Sequence, residues 1–270
     1  NKPNIVHFFL PAPYILGGLA SIISGVSIKI MSRRSMNFYQ KKFHLVHQIE
    51  KFLHKKMTHI LANSQAVYYD LKKENVPMSK LSIIYNGVGI KKSICKEQKN
   101  NIRKKYNLKN DEFLINCTAN LIKYKGHEDL LRALALIKDD LGKKWKLLCV
   151  GNDTGIKDSL KKLAYELKIE KNILFFGSLD NPFELMSVSD IGVLASHEEG
   201  FSNSIIEYMS YSLAVIATNV GGNKYALNFD ECGKIIDVKD IKKLSEEIKL
   251  FFLDKNLRLK KGIAGKKRVQ

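Results

Sequence analysis

The sequence predicts an α/β protein built of two Rossmann-like doubly wound domains, the first of them incomplete. Three observations carry this. Short apolar, strand-like runs recur along the 270 residues, and between them lie stretches with apolar residues at helical spacing. Parallel strands need long crossovers, usually helices, so this alternation points to parallel sheets covered by helices. The length suits two domains of ordinary size. Charge divides the chain as well: residues 1–110 carry 20 Lys and Arg against 4 Asp and Glu, a balance of +16, whereas residues 111–270 carry 25 against 23, a balance of +2. The expected layout is a partial N-terminal domain over 1–90, a linker over 91–110 and a C-terminal domain over 111–270.

In the first part, strand-like runs at 4–9, 26–31, 58–62 and 81–85 are separated by helical stretches near 14–24, 41–56 and 64–74. The apolar stretch from Ile5 to Ile30 is broken by Pro11, Pro13, Gly17, Gly18 and Gly25, so it reads as strand, loop, helix and strand rather than a membrane span. Lys41–Lys56 has helical period, with Leu45, Ile49, Phe52 and Leu53 on one face and Lys41, Lys42, Lys51, Lys55 and Lys56 around it. Such a stripe belongs in a core, and a basic amphipathic helix on an anionic membrane is the alternative. Gly87–Asn110 is polar and Lys-rich and reads as the linker with a short helix. In the second part, strands are expected at 113–118, 146–151, 173–177, 191–195, 214–218 and 234–238. Helices are expected near 126–139, 156–168, 182–188, 203–212 and 240–253.

Composition narrows the function classes. Cys95, Cys117, Cys149 and Cys232 show no paired spacing, and Cys117 and Cys149 fall in strands, so a disulfide framework and a zinc site are not indicated and a reducing cytosol is expected. The seven histidines lack metal-ligand spacing, and no cofactor motif occurs. The +18 net charge calls for an anionic partner, such as a membrane surface, a lipid phosphate or nucleic acid, unless the lysines only solvate the surface. No zinc-finger or RRM signature supports nucleic acid. Asn1 follows no initiator Met and opens no signal-peptide pattern, which points to a fragment.

Chemistry concentrates at Glu198-Glu-Gly-Phe-Ser-Asn-Ser-Ile-Ile-Glu207. Glu199 falls on the loop after a strand. Glu207 falls about a turn inside the next helix, which Ser202 or Asn203 would cap and whose Ile205, Ile206 and Met209, with Leu213, share one side. A helix N-terminus beside two carboxylates suits a ligand with a diphosphate and hydroxyls, the amides taking the anion and the acids the hydroxyls. Lys125, on a loop entering another helix with Glu128 and Asp129 in its first turn, can reach a phosphate as a point charge. Lys125, Gly151, Gly177 and Glu199 all follow strand ends, so they are expected on one edge of the second sheet.

The segment 181–222 resembles the E-x7-E region of retaining GT-B glycosyltransferases of family 4. Further matches lie in order upstream: HILANSQAVYYDL (59–71), LSIIYNGV (81–88), TANLIKYKGHEDLLRAL (118–134), KLLCVGND (146–153) and KNILFFGSLDN (171–181). The resemblance covers nearly the whole chain but lacks the family's first strands and Gly-rich loop. It implies that Lys125 holds the donor diphosphate, Glu207 the ribose, and Glu199 the transferred sugar, with the backbone at Gly200, Phe201 and Ser202 lining the pocket beside Asn203. Lys125 and Glu199 would carry the chemistry. Two departures stand out: Asn120 occupies the place of a usual Arg, and Tyr225 that of a usual Glu. Arg33 or Arg34, after a first-domain strand, would meet an acceptor phosphate or the donor, unless they form only an exposed basic loop. The absence of any Asp-x-Asp pair predicts transfer without metal. The implied protein moves a sugar from a nucleotide-diphosphate-sugar to a glycan or lipid-linked acceptor, cytoplasmic and peripheral on the membrane's inner face. An inactive nucleotide-binding relative and a basic nucleic-acid-binding protein are the rival readings.

Overall fold

The structure, a computed structural model, describes residues 3–37, 40, 43–89 and 94–270. The chain forms two compact units. The first comprises residues 1–86 with the segment 199–201, and the second residues 87–198 with 202–270.

The first unit alternates strand and helix: β1 (Ile5–Phe9), α1 (Pro11–Ile23), β2 (Ile28–Arg33), α2 (His44–Lys56), β3 (His59–Ala62), α3 (Gln65–Lys73) and β4 (Leu81–Ile83). The four strands lie parallel in the order β1-β2-β3-β4. Phe8, Met31, Ile60 and Leu81 from the strands and Tyr14, Leu53 and Leu71 from the helices fill its core. Ser64 caps α3, its hydroxyl accepting from the Val67 N–H at 3.2 Å.

Two expectations fail here. The second strand runs on through Arg33, so Ser32 and Arg33 belong to the sheet rather than to a loop after it. On α2, Leu53 is fully buried and Ile49 packs beside it, but Leu45 and Phe52 are 77% and 50% exposed. The face turned inward carries Glu50 and His54 with Leu53, at the i, i+3, i+4 spacing of one helix side. Polar residues took the inward positions because Arg33 is buried beneath them and needs partners. Lys41 and Lys42, at the start of the expected helix, and linker positions 91–93 lie outside the described residues.

The second unit contains α4 (Lys96–Lys105), β5 (Phe113–Thr118), α5 (His127–Leu136), α6 (Lys138–Leu141), β6 (Trp145–Val150), α7 (Lys157–Glu166), β7 (Ile173–Gly177) and α8 (Phe183–Val188). It continues with β8 (Ile191–Leu194), α9 (Asn203–Ser210), β9 (Ala214–Thr218), α10 (Asn223–Ala226), β10 (Gly233–Ile236), α11 (Ile241–Leu253) and α12 (Lys255–Val269). Its six strands are all parallel, ordered β10-β9-β8-β5-β6-β7. β8 and β9 are buried along their whole length, as strands covered on both faces should be. Trp145 anchors the core, with Ile115, Leu130, Leu147, Val193 and Phe251 around it.

Helix α12 lies beyond the last helix expected from the sequence, and it contains Gly262 and Gly265. A Cβ on Gly262 would lie 2.0 Å from the Ser212 carbonyl oxygen, and one on Gly265 2.8 Å from Met209 Cγ. Each glycine costs helix propensity, about 1 kcal/mol against Ala, and the close approach to the C-terminal end of α9 requires it. No helix among the described residues is long and apolar enough to cross a membrane.

Candidate active site

The strand order of the second sheet reverses between β5 and β8: from β5 the chain moves outward to β6 and β7, and from β8 to β9 and β10 on the other side. Ligands of open parallel sheets bind beyond the carboxyl ends of the strands at such a reversal, because the loops diverge and leave a crevice. The loop after β5 carries Asn120 and Lys125, and the loop after β8 leads into α9.

These loops touch. The His197 N–H donates to the Tyr124 carbonyl at 2.6 Å. Gly126 has φ +69°, and a Cβ there would lie 1.9 Å from the Ala195 carbonyl oxygen, so only glycine fits. A 3₁₀ turn, Lys123–Lys125, delivers the chain to α5, and Lys125 is half-buried, its ammonium 5.4 Å from the Tyr124 ring centre. His127 at the start of α5 is buried, and burial first, then the charge of Lys125, lowers its pKa to about 4, so it is neutral at pH 7. His197 Nε2 lies 2.6 Å from Asp129 Oδ2, tying the second loop to the first turn of α5.

Helix α9 is pinned to the same two strands. The Thr118 N–H at the end of β5 donates to the Tyr208 hydroxyl oxygen at 2.6 Å, and Ser204 Oγ donates to the Thr118 carbonyl at 2.7 Å. The Tyr208 ring is fully buried in the room that Gly192 of β8 leaves open, where a Cβ would come within 2.3 Å of the ring. The orientation of α9 is therefore set from inside, and Glu207, next to Tyr208, is left half-buried. Sequence reasoning missed Tyr208 and Ser204 as site-building residues. The signal was a large polar ring at a position of α9 paired with a glycine in β8. Ile205, Ile206 and Met209 are buried as expected.

The structure places the expected residues as follows. Asn120, Lys125, Ser202, Asn203 and Glu207 belong to the second unit, on the loops and helix of the reversal. Ser202, one of the two anticipated caps, occupies the N-cap position of α9 but makes no side-chain cap bond. Asn120 turns its side-chain oxygen to the Asn152 N–H at 3.1 Å, so it braces the loop after β6 and brings no charge. Tyr225, on α10, is half-buried against Phe229, with ring centres 6.0 Å apart. Glu199, Gly200 and Phe201 group with the first unit. There Ser64 Oγ donates to the Gly200 carbonyl at 2.9 Å, and the Phe201 ring lies 6.3 Å from that of Tyr85. Among the described residues no group of three or more His, Cys, Asp or Glu is placed to hold a metal ion.

Arg33 is not a free cation facing a phosphate, which corrects the expectation for it. It is buried, with Nη1 2.6 Å from Glu74 Oε1 and Nη2 2.8 Å from Glu50 Oε2. Its charge is needed where it is, since an unpaired guanidinium would not be tolerated at that depth. Arg34 is exposed and donates to Asn86 Oδ1 at 3.1 Å.

Comparison with known proteins agrees with this architecture. Residues 98–268 match the family described as glycosyl transferases group 1, and residues 1–92 match Glycosyltransferase Family 4. The chain is 27% identical to the capsular polysaccharide biosynthesis glycosyltransferase CapM of Staphylococcus aureus, over all of this chain and 72% of that protein. It is 31% identical, over 76% of its length, to a Campylobacter jejuni N-acetylgalactosaminyltransferase named for a diphospho-undecaprenol substrate, and spans 54% of that relative. The fold matches that of HepE from Anabaena, solved with UDP and glucose, at a TM-score of 0.90 and 18% identity, covering 98% of this chain and 73% of HepE. The parallel sheets, the paired units and the match over 98–268 together establish that this chain belongs to the glycosyl transferases group 1, with a GT-B fold.

Proposed function

We propose that this chain transfers a sugar from a nucleoside-diphosphate sugar to a cell-surface glycan precursor carried on a lipid, with retention of configuration and without a metal ion. The observation that carries this is the reversal of the second sheet, where the Lys125 loop, the β8 loop and the start of α9 meet. Lys125 and the backbone N–H groups at the start of α9 take the diphosphate, and Glu207 accepts from the ribose hydroxyls. Glu199 accepts from hydroxyls of the transferred sugar, and the backbone of Gly200 and Phe201 lines its pocket.

The bond from the anomeric carbon to the phosphate oxygen breaks as the acceptor oxygen bonds to the same face of that carbon. The acceptor's proton passes to the departing phosphate oxygen. Charge accumulating on the diphosphate is stabilised by Lys125 and the helix-end amides. The lack of an Asp-x-Asp pair and the presence of Lys125 support a route without metal. The acceptor class follows from the relatives named for capsule and diphospho-undecaprenol substrates.

Exposed Leu16 and Ile23 on α1, and Leu45 and Phe52 on the adjoining α2 with Lys51, Lys55 and Lys56, support a peripheral position on an anionic inner membrane face.

Asn120 favours a second reading, a protein that binds nucleotide and transfers nothing, because its side chain braces a loop where a cation would hold phosphate. Titration with UDP-, GDP- and ADP-sugars, followed by transfer of labelled sugar to a diphospho-undecaprenol saccharide, separates the two. Binding with transfer is expected. Binding without transfer favours the second reading, and no nucleotide binding overturns both.

A further inference from the structure

Lys125 closes a 3₁₀ turn that meets helix α5 through Gly126. The Lys125 N–H donates to the Ile122 carbonyl at 2.9 Å and the Gly126 N–H to the Lys123 carbonyl at 3.2 Å. The i→i−4 pattern of α5 begins only with the Leu130 N–H on the Gly126 carbonyl, at 3.1 Å. Turn and helix are thus separate pieces joined at a left-handed glycine, and the angle between them is set by what the turn leans on.

It leans on the loop after β8 at three points that bracket Lys125. Gly126 sits against the Ala195 carbonyl, the Tyr124 carbonyl accepts the His197 N–H at 2.6 Å, and Asp129 Oδ2 lies 2.6 Å from His197 Nε2. The first is a steric limit and the second a bond between backbones. In the third, the His197 ring is a side chain that can be changed while the path of the chain is kept.

The pair is placed to hold. Its side chains are 26% and 16% exposed, so its attraction is screened less than that of a surface pair. Asp129 lies in the first turn of α5, where the helix dipole favours a carboxylate. Its neighbour Glu128 is engaged by Arg132 at 2.8 Å. Lys123, Glu198 and Lys239 are the other charged residues of the cleft that the pair lines. Burial first, and then the charge of Lys125, keep His127 neutral, so His127 is no rival cation for Asp129. The same effect puts the Lys125 charge near the helix start that His197 and Asp129 hold together.

We infer that His197 is a positioning residue of the nucleoside-diphosphate site: through Tyr124 and Asp129 it fixes the turn that aims the Lys125 ammonium at the diphosphate. The inference rests on the donor chemistry proposed above, and has His197 act through Lys125 rather than on the phosphate itself.

The test is calorimetry on the full chain with whichever of UDP, GDP and ADP wild type binds most tightly, with urea unfolding alongside. His197→Leu keeps the backbone bond and removes the ring. It should weaken binding about fivefold or more, within the coupling shown by residues that share contacts. His197→Gln should restore affinity, because a glutamine Nε2 reaches about as far as the imidazole Nε2 and donates to Asp129, whereas the shorter His197→Asn should not. In a Lys125→Ala background, His197→Leu should change affinity less than about twofold, a non-additivity that a merely structural histidine would not produce. If His197→Leu does not fold, Asp129→Asn carries the same comparison, with the same weakening and the same dependence on Lys125 expected. Lowered stability with wild-type affinity in the folded variant overturns the inference, and so does an equal loss of affinity with and without Lys125. Either result, with Lys125→Ala itself weakened, leaves the donor chemistry standing. Wild-type affinity in Lys125→Ala would instead strike the donor chemistry and take the inference with it, as would a wild type that binds none of the three nucleotides.

Discussion

At the carboxyl edge of the first sheet the ordering groups are side chains brought from far apart in sequence. Arg33 reaches Glu50 and Glu74, His54 Nε2 sits 3.2 Å from Glu74 Oε2, and Gln40 bonds Glu50, all of them buried. At the carboxyl edge of the second sheet the ordering groups are mostly backbone: the His197 N–H on Tyr124, the Thr118 N–H and carbonyl on Tyr208 and Ser204, and Gly126 against Ala195. There Lys125 and Glu207 stay half-buried. Charge buried in mutual pairs gives a rigid wall whose loss is costly. Lys125 and Glu207, at a loop and inside a helix, keep part of their surface in solvent. The difference teaches that the first edge is ordered by buried charge and the second by contacts to the backbone.

The sharpest way to break this comparison is to unpair the first edge. Glu74→Ala leaves Arg33 with one carboxylate and should cost about 3–5 kcal/mol of stability, read by urea unfolding. A loss under about 1 kcal/mol would show that water already screens the cluster. The same edge should be acid-sensitive. Burial pushes the Glu74 carboxyl up, but hydrogen bonds from His54 and Arg33 and the guanidinium charge carry it down from 4.5 to about 2. A depressed folded pKa means that its contribution is whole above pH 4.5 and is lost as pH falls toward 2. His54, held below 6.5 mainly by burial, acts in the same direction, because the unfolded chain takes up that proton first. Stability that stays flat from pH 6 down to pH 3 would contradict both signs.

The next effect tests the surface charge of the first unit against its buried charge. Lys51, Lys55 and Lys56 changed together to Glu should release the protein from acidic vesicles, each lysine contributing about 1 kcal/mol near the surface. Salt should do the same to wild type, since exposed charges are screened within about 8 Å at physiological ionic strength. UDP affinity should stay unchanged. Wild type that ignores acidic vesicles at low salt would return these lysines to plain solvation.

On the second edge, Glu207→Ala should weaken nucleotide binding by about 1.5–3 kcal/mol, the value of a hydrogen bond to a charged group, with the Tm held. Calorimetry measures it, and unaltered affinity in the folded variant removes Glu207 from the ribose. The smallest expected effect is none: transfer should persist in EDTA. Activity lost to the chelator and restored by magnesium or manganese would break the proposal that Lys125 and helix amides serve in place of a metal.

The strand–helix alternation, the parallel sheets and the edge holding Lys125 and Glu207 were legible in the sequence because each rests on local pattern. Period separates strand from helix within a few residues, and a parallel sheet sends its loops to one side. Helix α12 was not legible, since its glycines answer to Ser212 and Met209, some fifty residues earlier in the chain. Nor were the inward Glu50 and His54 of α2, where periodicity favoured Leu45 and Phe52. Which side of that helix is core was decided by the buried Arg33, and a charge pairing across 17 or 41 residues leaves no periodic trace. By itself the sequence determined the elements, their order and the family they resemble. Only the tertiary structure decided which charges are buried in mutual pairs and which keep contact with solvent, because burial depends on everything that packs around a residue.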